Sequence, residues 1–363
     1  MFSFLIKLVT CSSAAHALLY RQMKITCGSN YQLPQEKYDE LLHHVVQAGL
    51  FGRTKKAHFT IFLITLFGMI FSFIVIASTD TLWVQLLNAC FAAFFTVQLG
   101  LLGHDLSHKG VFRSSPTNHF LALLVWSLGC GLSEGRWFSK HNAHHQSPNH
   151  IGYDPDIDIP FVFSHTQATL RSPFLQKYIF PYQHILFWIG IWFVYPYNIF
   201  NSMHFLFREI TWRSLFETVL IIIHFAITIG LTFWLLPPLV AILFNVTVFL
   251  MIGVYMAMIF APNHKGEDML APEQVHNWVH QITLTRNIFS TPFISYVFGG
   301  LEYQIEHHLF PSMSRFHYRD AQAIVKKFCQ ENSIPYHETT WVQSLHQIHH
   351  SLKHEANYWQ SLS

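Results

Sequence analysis

Residues 57–78, AHFTIFLITLFGMIFSFIVIAS, contain no Asp, Glu, Lys or Arg. A helix rises about 1.5 Å per residue, so a run of this length reaches about 30 Å, the thickness of a bilayer's hydrocarbon core. Only Thr79-Asp80-Thr81 separates it from a second such run at 82–102, LWVQLLNACFAAFFTVQLGLL. Two more follow at 215–236 and 239–261, split by Pro237-Pro238. Links this short turn each helix back along its predecessor. The expected fold is therefore all-α and integral to a membrane, with four transmembrane helices in two hairpins.

Composition agrees. The 363 residues are 51% hydrophobic and only 12% charged, with a mean hydropathy of +0.26, against about 25% charged residues in soluble domains. A net charge of +2 gives no basic footprint for nucleic acid. The unusual count is 26 His, more than the 22 Lys and Arg together. Imidazole is the commonest metal ligand and is costly in lipid unless it is used. Cys11, Cys27, Cys90, Cys130 and Cys329 form no CxxC pair, which fits reduced thiols and gives neither a disulfide framework nor a zinc–thiolate site.

No Lys or Arg occurs between 57 and 108 or between 214 and 264, while Arg53, Lys55 and Lys56 immediately precede the first helix. The positive-inside rule then places the N-terminal region, 103–214 and everything after 262 in the cytosol, with both termini there. The membrane can be a bacterial inner membrane or the endoplasmic reticulum. Segment 119–133 is short for a span, and 178–207 is interrupted by Pro181, His184 and Pro196. Both are expected to be interfacial or partly inserted helices. Were both to cross, residues 136–177 would be stranded on the far side. The opening MFSFLIKLVTCSSAAHA ends like a signal peptide, but its one basic residue, Lys7, sits inside the apolar run. An amphipathic segment lying on the membrane is expected instead over the first 27 residues.

Three histidine clusters follow this topology. His104-Asp-Leu-Ser-His108 sits at the cytosolic end of the second helix, with both imidazoles on one face. His141-Asn-Ala-His144-His145 places three imidazoles at i, i+3 and i+4. Gln304-Ile-Glu-His307-His308 repeats that spacing with glutamine leading. The topology came from Lys and Arg alone, yet it puts all three clusters on one side. Other histidines, such as His58, His119, His224 and the pair His349-His350, serve as the background against which the clusters stand out.

Imidazole nitrogen suits zinc, copper, iron and nickel, and a catalytic zinc needs about three protein ligands. Seven clustered histidines exceed one ion's needs, so two metals are implied. Iron with dioxygen fits best, because a cavity in a membrane offers chiefly unactivated hydrocarbon, whose C–H bonds need cofactor chemistry rather than acid–base catalysis.

These motifs resemble the membrane fatty acid desaturase family, whose pattern is HxxxH, HxxHH and [HQ]xxHH. Asn142, Asn149, the Asp154-Pro155-Asp156 run, Thr285-Arg286-Asn287 and GGLEYQIEHHLFP (299–311) resemble its acyl-lipid and front-end branch. The resemblance covers roughly 50–320. It implies a cytosolic helical cap holding a di-iron centre, an acyl chain in a bent tunnel, and two electrons with O2 per turnover. By position it makes His104, His108, His141, His144, His145, His307 and His308 iron ligands. A further ligand is expected just after the fourth helix, either His264 or one of His276 and His280, with His264 favoured. Asn263 and Gln304 are weak-ligand or outer candidates. Asp105 and Glu306 are candidates to orient ligating imidazoles, and Asp154, Asp156 and Asp158 to act as outer or donor-docking groups. Lys109, Arg136 and Lys140 are candidates to hold a lipid or CoA headgroup.

The domain division that follows is an N-terminal segment at 1–50, a desaturase domain at 51–320 and a cytosolic tail at 321–363. No His-Pro-Gly-Gly motif of a fused cytochrome b5 occurs, so the expected donor is a separate protein of cytochrome b5, ferredoxin or rubredoxin type. The substrate is expected to be an acyl lipid or acyl thioester. Two other readings stay open: a di-iron lipid hydroxylase on the same scaffold, and a histidine-rich metal transporter, which would carry polar groups along the membrane midplane.

Overall fold

The structure, a computed structural model, describes residues 32–159, 162, 164, 167, 171–208 and 210–362; the interfacial segment expected over the first 27 residues lies outside them. After α1 (Gln35–Gln47), the first two apolar runs form α2 (Lys55–Ser78) and α3 (Leu82–Ser107). Then come α4 (Ser115–Leu123), which continues as a π-type turn to Gly129, and α5 (Glu134–Gln146). Next are α6 (Pro173–Tyr178), α7 (Gln183–Gly190) and α8 (Val194–Arg208). The last two apolar runs are α9 (Trp212–Leu235) and α10 (Pro238–His264). Among the described residues, α2, α3, α9 and α10 are the helices long and apolar enough to cross a membrane. Shorter elements close the chain: α11 (His280–Thr283), β1 (Asn287–Ile288), α12 (Pro292–Phe298), α13 (Gln304–Leu309), α14 (Tyr318–Glu331), β2 (Glu338–Thr339) and α15 (Trp341–Leu362). The two strands pair in parallel.

The short turns are chemically fitted. Gln85 reaches back to donate to Thr79 O at 2.6 Å and Val75 O at 3.1 Å, satisfying carbonyls that the end of α2 leaves open. Pro238 opens α10, where its fixed φ helps and its missing N–H is not needed.

Helix α3 lies at the centre, packed along α2 and α10. Several polar residues in the spans tie helices together. Asn88 Nδ2 donates to Ser72 O (3.1 Å), Gln98 Nε2 to the Tyr255 hydroxyl (2.7 Å), and Asn245 Nδ2 to Thr232 Oγ1 (2.6 Å). His224 Nδ1 donates to Leu128 O at 2.9 Å. Such bonds hold helices together where hydrophobic force between them is weak. They leave these side chains unavailable as a row of transport sites.

The 119–133 stretch folds as α4 and its π-type turn, against α3 and α9. The 178–207 stretch is broken by tight turns at Phe180–Tyr182 and Ile191–Phe193. Pro196 falls in the first turn of α8, where a missing N–H costs nothing. Gly253 lets α10 approach this segment: a Cβ there would lie 2.9 Å from the carbonyl oxygens of Ile191 and Trp192. Phe193, Phe200 and Phe207 stay exposed on its outer face.

Beyond the histidine-bearing ends of α3 and α10 sits a helical layer. Leu41 and Val45 of α1, Ile305 and Leu309 of α13, and Val325 and Phe328 of α14 form one core there. Ile348 and Leu352 of α15 pack with Phe187 and Ile191. The stretch expected as a C-terminal tail is thus helical and packed onto the body.

Candidate metal centre

Four elements deliver histidines to one buried place. His104 lies in the last turn of α3 and His108 one residue beyond it, α5 brings His141, His144 and His145, α10 ends at His264, and α13 carries His307 and His308. The ring nitrogens fall into two adjacent sets, His104/His108/His141/His145/His307 and His144/His264/His308; within each, donor atoms lie within 4.8 Å of one another. His145 and His308 stack across the boundary, ring centres 4.3 Å apart.

The shared face read from the i, i+3, i+4 spacing is finer than expected. Each residue turns the helix by about 100°, so His141 and His145 enter the larger set while His144 enters the smaller. His307 and His308 divide in the same way.

The nitrogens converge without enough protons to join them. His141 Nε2 lies 2.8 Å from His108 Nε2, 3.0 Å from His145 Nε2 and 3.1 Å from His104 Nε2. One atom cannot serve three hydrogen bonds of this kind. His307 Nε2 and His308 Nε2 are buried with no hydrogen-bond partner. Burial, reinforced by neighbouring imidazoles, holds His108, His141, His145, His307 and His308 well below the ordinary histidine pKa. Neutral imidazoles with unshared lone pairs facing each other are what a borderline divalent cation takes. The residues present fit two such ions.

Outer partners fix several rings. Asp154 accepts from His144 Nδ1 at 2.9 Å and is itself held by the backbone N–H groups of Asn149 and Asp156 (both 2.8 Å). Burial opposes protonation of His144, but the Asp154 carboxylate outweighs it and holds that pKa above the usual value. Tyr318 meets His307 Nδ1 at 2.9 Å and Gln281 Oε1 meets His308 Nδ1 at 2.8 Å. Gln304 donates to His264 Nε2 at 2.9 Å.

The remaining expected residues sort themselves. His264 joins the smaller set, whereas His276 and His280 stay outside both; His280 Nδ1 accepts from Asn277 N at 3.0 Å. Asn263 spends its amide on Leu301 O (2.9 Å) and Ile259 O (3.2 Å). Asp105 faces His58 Nε2 at 3.1 Å and ion-pairs with Arg315, while His104 Nδ1 is 3.7 Å away, beyond hydrogen-bond reach. Glu306 orients no imidazole. Its oxygens accept from Asn287 Nδ2 (2.7 Å) and the Tyr336 hydroxyl (2.8 Å), and burial pushes its pKa up to about 7. Lys140 pairs with Asp156, and Asp158 with Arg171, so two of the three aspartates are engaged by cations. Arg136 donates to Asn198 Oδ1 at 3.3 Å, which leaves Lys109 as the exposed headgroup candidate.

Gln281, Tyr318, Arg315 and His58 escaped the sequence reading. Only His58 carried a legible signal, a histidine in the first turn of an apolar span, where burial demands a partner.

A small apolar cavity lies on the membrane side of the histidines, lined in part by Gly100, Trp126, Cys130, Tyr195, Ile252 and Phe260. Gly100 and Phe260 lie one helical turn before His104 and His264. Trp126 stacks on Trp137 (4.5 Å), and Trp137 on His141 (4.3 Å), giving an indole wall between cavity and histidines.

Over its described residues the chain is therefore a mostly helical protein with four membrane-length helices and a buried, histidine-built site near an apolar cavity. The fatty acid desaturase family model matches residues 81–340, and the chain belongs to that family. It is 29% identical over 329 residues to Delta(8)-fatty-acid desaturase 2 of Arabidopsis thaliana, covering 84% of this chain and 71% of that protein. It is 31% identical over 278 residues to Delta(6)-fatty-acid desaturase fat-3 of Caenorhabditis elegans, 69% of this chain and 60% of that protein. With the acyl-lipid (9-3)-desaturase of Borago officinalis it shares 28% identity over 344 residues, 88% of this chain and 74% of that protein. The resemblance carried by the histidine motifs is borne out.

Proposed function

We propose that this protein is a di-iron fatty acyl desaturase. The observation that carries the reading is the convergence of eight histidines, from four separate elements, into two adjacent nitrogen sets near an apolar cavity. The reaction is R–CH2–CH2–R′ + O2 + 2 e⁻ + 2 H⁺ → R–CH=CH–R′ + 2 H2O. The electrons come from a separate donor protein of cytochrome b5, ferredoxin or rubredoxin type.

His104, His108, His141, His145 and His307 would hold one iron, and His144, His264 and His308 the other. Two irons there supply the oxidising power to remove hydrogen from an unactivated methylene. The chain's own residues do the rest. Asp154 and Tyr318 keep His144 and His307 in the tautomers that turn Nε2 inward. Ile252 and Phe260 exclude water from the acyl chain. Trp137, stacked on His141 and backed by Trp126, steadies that ring from the cavity side. The exposed Lys109 meets the polar head of an acyl lipid or thioester.

The distribution of Lys and Arg supports two helical hairpins with the histidine-bearing layer and both termini in the cytosol, where electron donors are found.

Expression in a host of known lipid composition, followed by gas chromatography–mass spectrometry, tests the activity. A new acyl species lighter by two hydrogens, dependent on O2 and reductant, is expected, with about two irons per chain. Folded protein that binds no metal would overturn the reading, and a product carrying an added oxygen would reassign the chain as a hydroxylase. Metal uptake that survives His145→Ala and His308→Ala would point to transport instead.

A further inference from the structure

Gln281 lies in the four-residue helix α11, outside every histidine motif, and its side chain is buried between two of them. Its Nε2 is 2.8 Å from the backbone oxygen of His145 and its Oε1 is 2.8 Å from His308 Nδ1. A carbonyl oxygen only accepts, so the amide NH2 must face His145 and the amide oxygen must face His308. His308 Nδ1 must then carry the proton, which leaves Nε2 as a lone pair. That Nε2 is buried with no hydrogen-bond partner. Chemistry alone thus fixes the tautomer of His308.

The segment that follows is anchored at each step. Thr285 Oγ1 donates to Gln281 O (2.6 Å), and Arg286 N to Asn263 O (3.0 Å). Asn287 Oδ1 accepts from Ile305 N at 2.9 Å, at the start of the helix that carries His307 and His308. Residues 281–287 therefore touch α5, the end of α10 and α13 at once, and Gln281 is the member whose side chain reaches a histidine.

From this we infer that Gln281 is a positioning residue for the smaller metal site: anchored on the backbone oxygen of His145, it presents His308 Nε2 to that set. The inference rests on the two-metal reading above. It is tested by titrating Co(II) into metal-free, detergent-solubilised full-length protein and following the visible ligand-field absorption.

Wild type should bind two equivalents. Gln281→Met removes both bonds at similar volume; one equivalent should bind as in wild type and the other 10–100-fold more weakly, roughly the cost of losing an outer partner of a ligating histidine. Gln281→Glu keeps the acceptor for His308 Nδ1 but loses the donor to His145, and should restore the second equivalent with an altered spectrum. Wild-type Co(II) affinities in Gln281→Met would overturn the inference, as would a folded Gln281→Glu that fails to recover the second equivalent. If Gln281→Met does not fold, the glutamate variant alone decides. Wild type that binds no Co(II) would instead sink the two-metal reading, a separate result.

Discussion

In the set His104, His108, His141, His145 and His307, five donors come from three regions, more than the roughly four ligands a compact nitrogen site needs. In the set His144, His264 and His308, each donor comes from a different helix, and each leans on a residue outside the set: Asp154, Gln304 and Gln281. The larger set is redundant and its nitrogens confront one another directly. The smaller is minimal and depends on scaffolding. Two adjacent sites built from overlapping motifs should therefore fail in different ways.

The largest expected difference comes from removing one donor from each. His308→Ala leaves two imidazoles in the smaller set, and iron should fall from two per chain to one. His104→Ala leaves four donors in the larger set, and both irons should stay. Desaturation should fall in both, by more than about 100-fold in His308→Ala, since a shifted reacting centre is costly even when metal remains. Iron measured by mass spectrometry against protein content checks this. Equal metal loss in the two variants would erase the distinction.

Proton competition comes next. In the folded, metal-free chain His108, His141, His145, His307 and His308 sit well below the ordinary 6.5. As pH falls through 6.5 the unfolded chain takes up protons that the folded chain refuses. Stability then drops by on the order of 1 kcal/mol per pH unit for each such histidine, until the folded values are reached. His144 runs the other way: Asp154 raises it, so its contribution is complete below 6.5 and fades as pH rises through its folded value. Glu306, which burial raises to about 7, runs the same way as His144, so five groups against two decide the sign. Chelated protein should melt at progressively lower temperature between about pH 7 and pH 5, and metal-loaded protein should resist until protons displace the metal. A chelated protein with a flat melting curve across that interval would contradict the burial of these rings.

Asp154→Asn separates the sets again, at smaller size. The amide keeps the shape but loses the charge that steadies His144, and metal affinity of the smaller set should weaken 10–100-fold while the larger is untouched. Metal retention through graded chelator dialysis measures it.

The spans and the seven motif histidines were legible because length, charge and a spacing of three and four carry their meaning within one segment; His264 came only from the family resemblance, with His276 and His280 as alternatives. The partition of HxxHH between two sites was not, because the helix's rotation against its neighbours decides which adjacent ring meets which partner. Glu306 shows the limit: its place beside His307 suggested an outer partner, but one further step of the helix turns it toward Asn287 and Tyr336. Gln281 and Tyr318 are remote in sequence from α5 and separated from His308 and His307 by turns that only the folded chain closes. His58 looked like one histidine among many, yet a buried imidazole in the first turn of a span had to meet an acceptor, and it meets Asp105.

The smallest expected effect concerns α5, which like α13 feeds both sets. Ser133 caps it, its Oγ accepting from Arg136 N at 3.2 Å and donating to Glu217 Oε2 at 2.7 Å; Glu217 also accepts from Gly135 N at 3.3 Å. A carboxylate from α9 thus sits at the positive end of the helix bearing His141, His144 and His145. Ser133→Ala should cost about 1 kcal/mol in stability, the usual loss for a helix cap, seen as a lowered melting temperature. Because the whole helix loosens rather than one ring, both metals should weaken together and by similar factors, unlike in His308→Ala or Asp154→Asn. Loss confined to the smaller set would mean that α5 is held by its histidines' partners rather than by its cap.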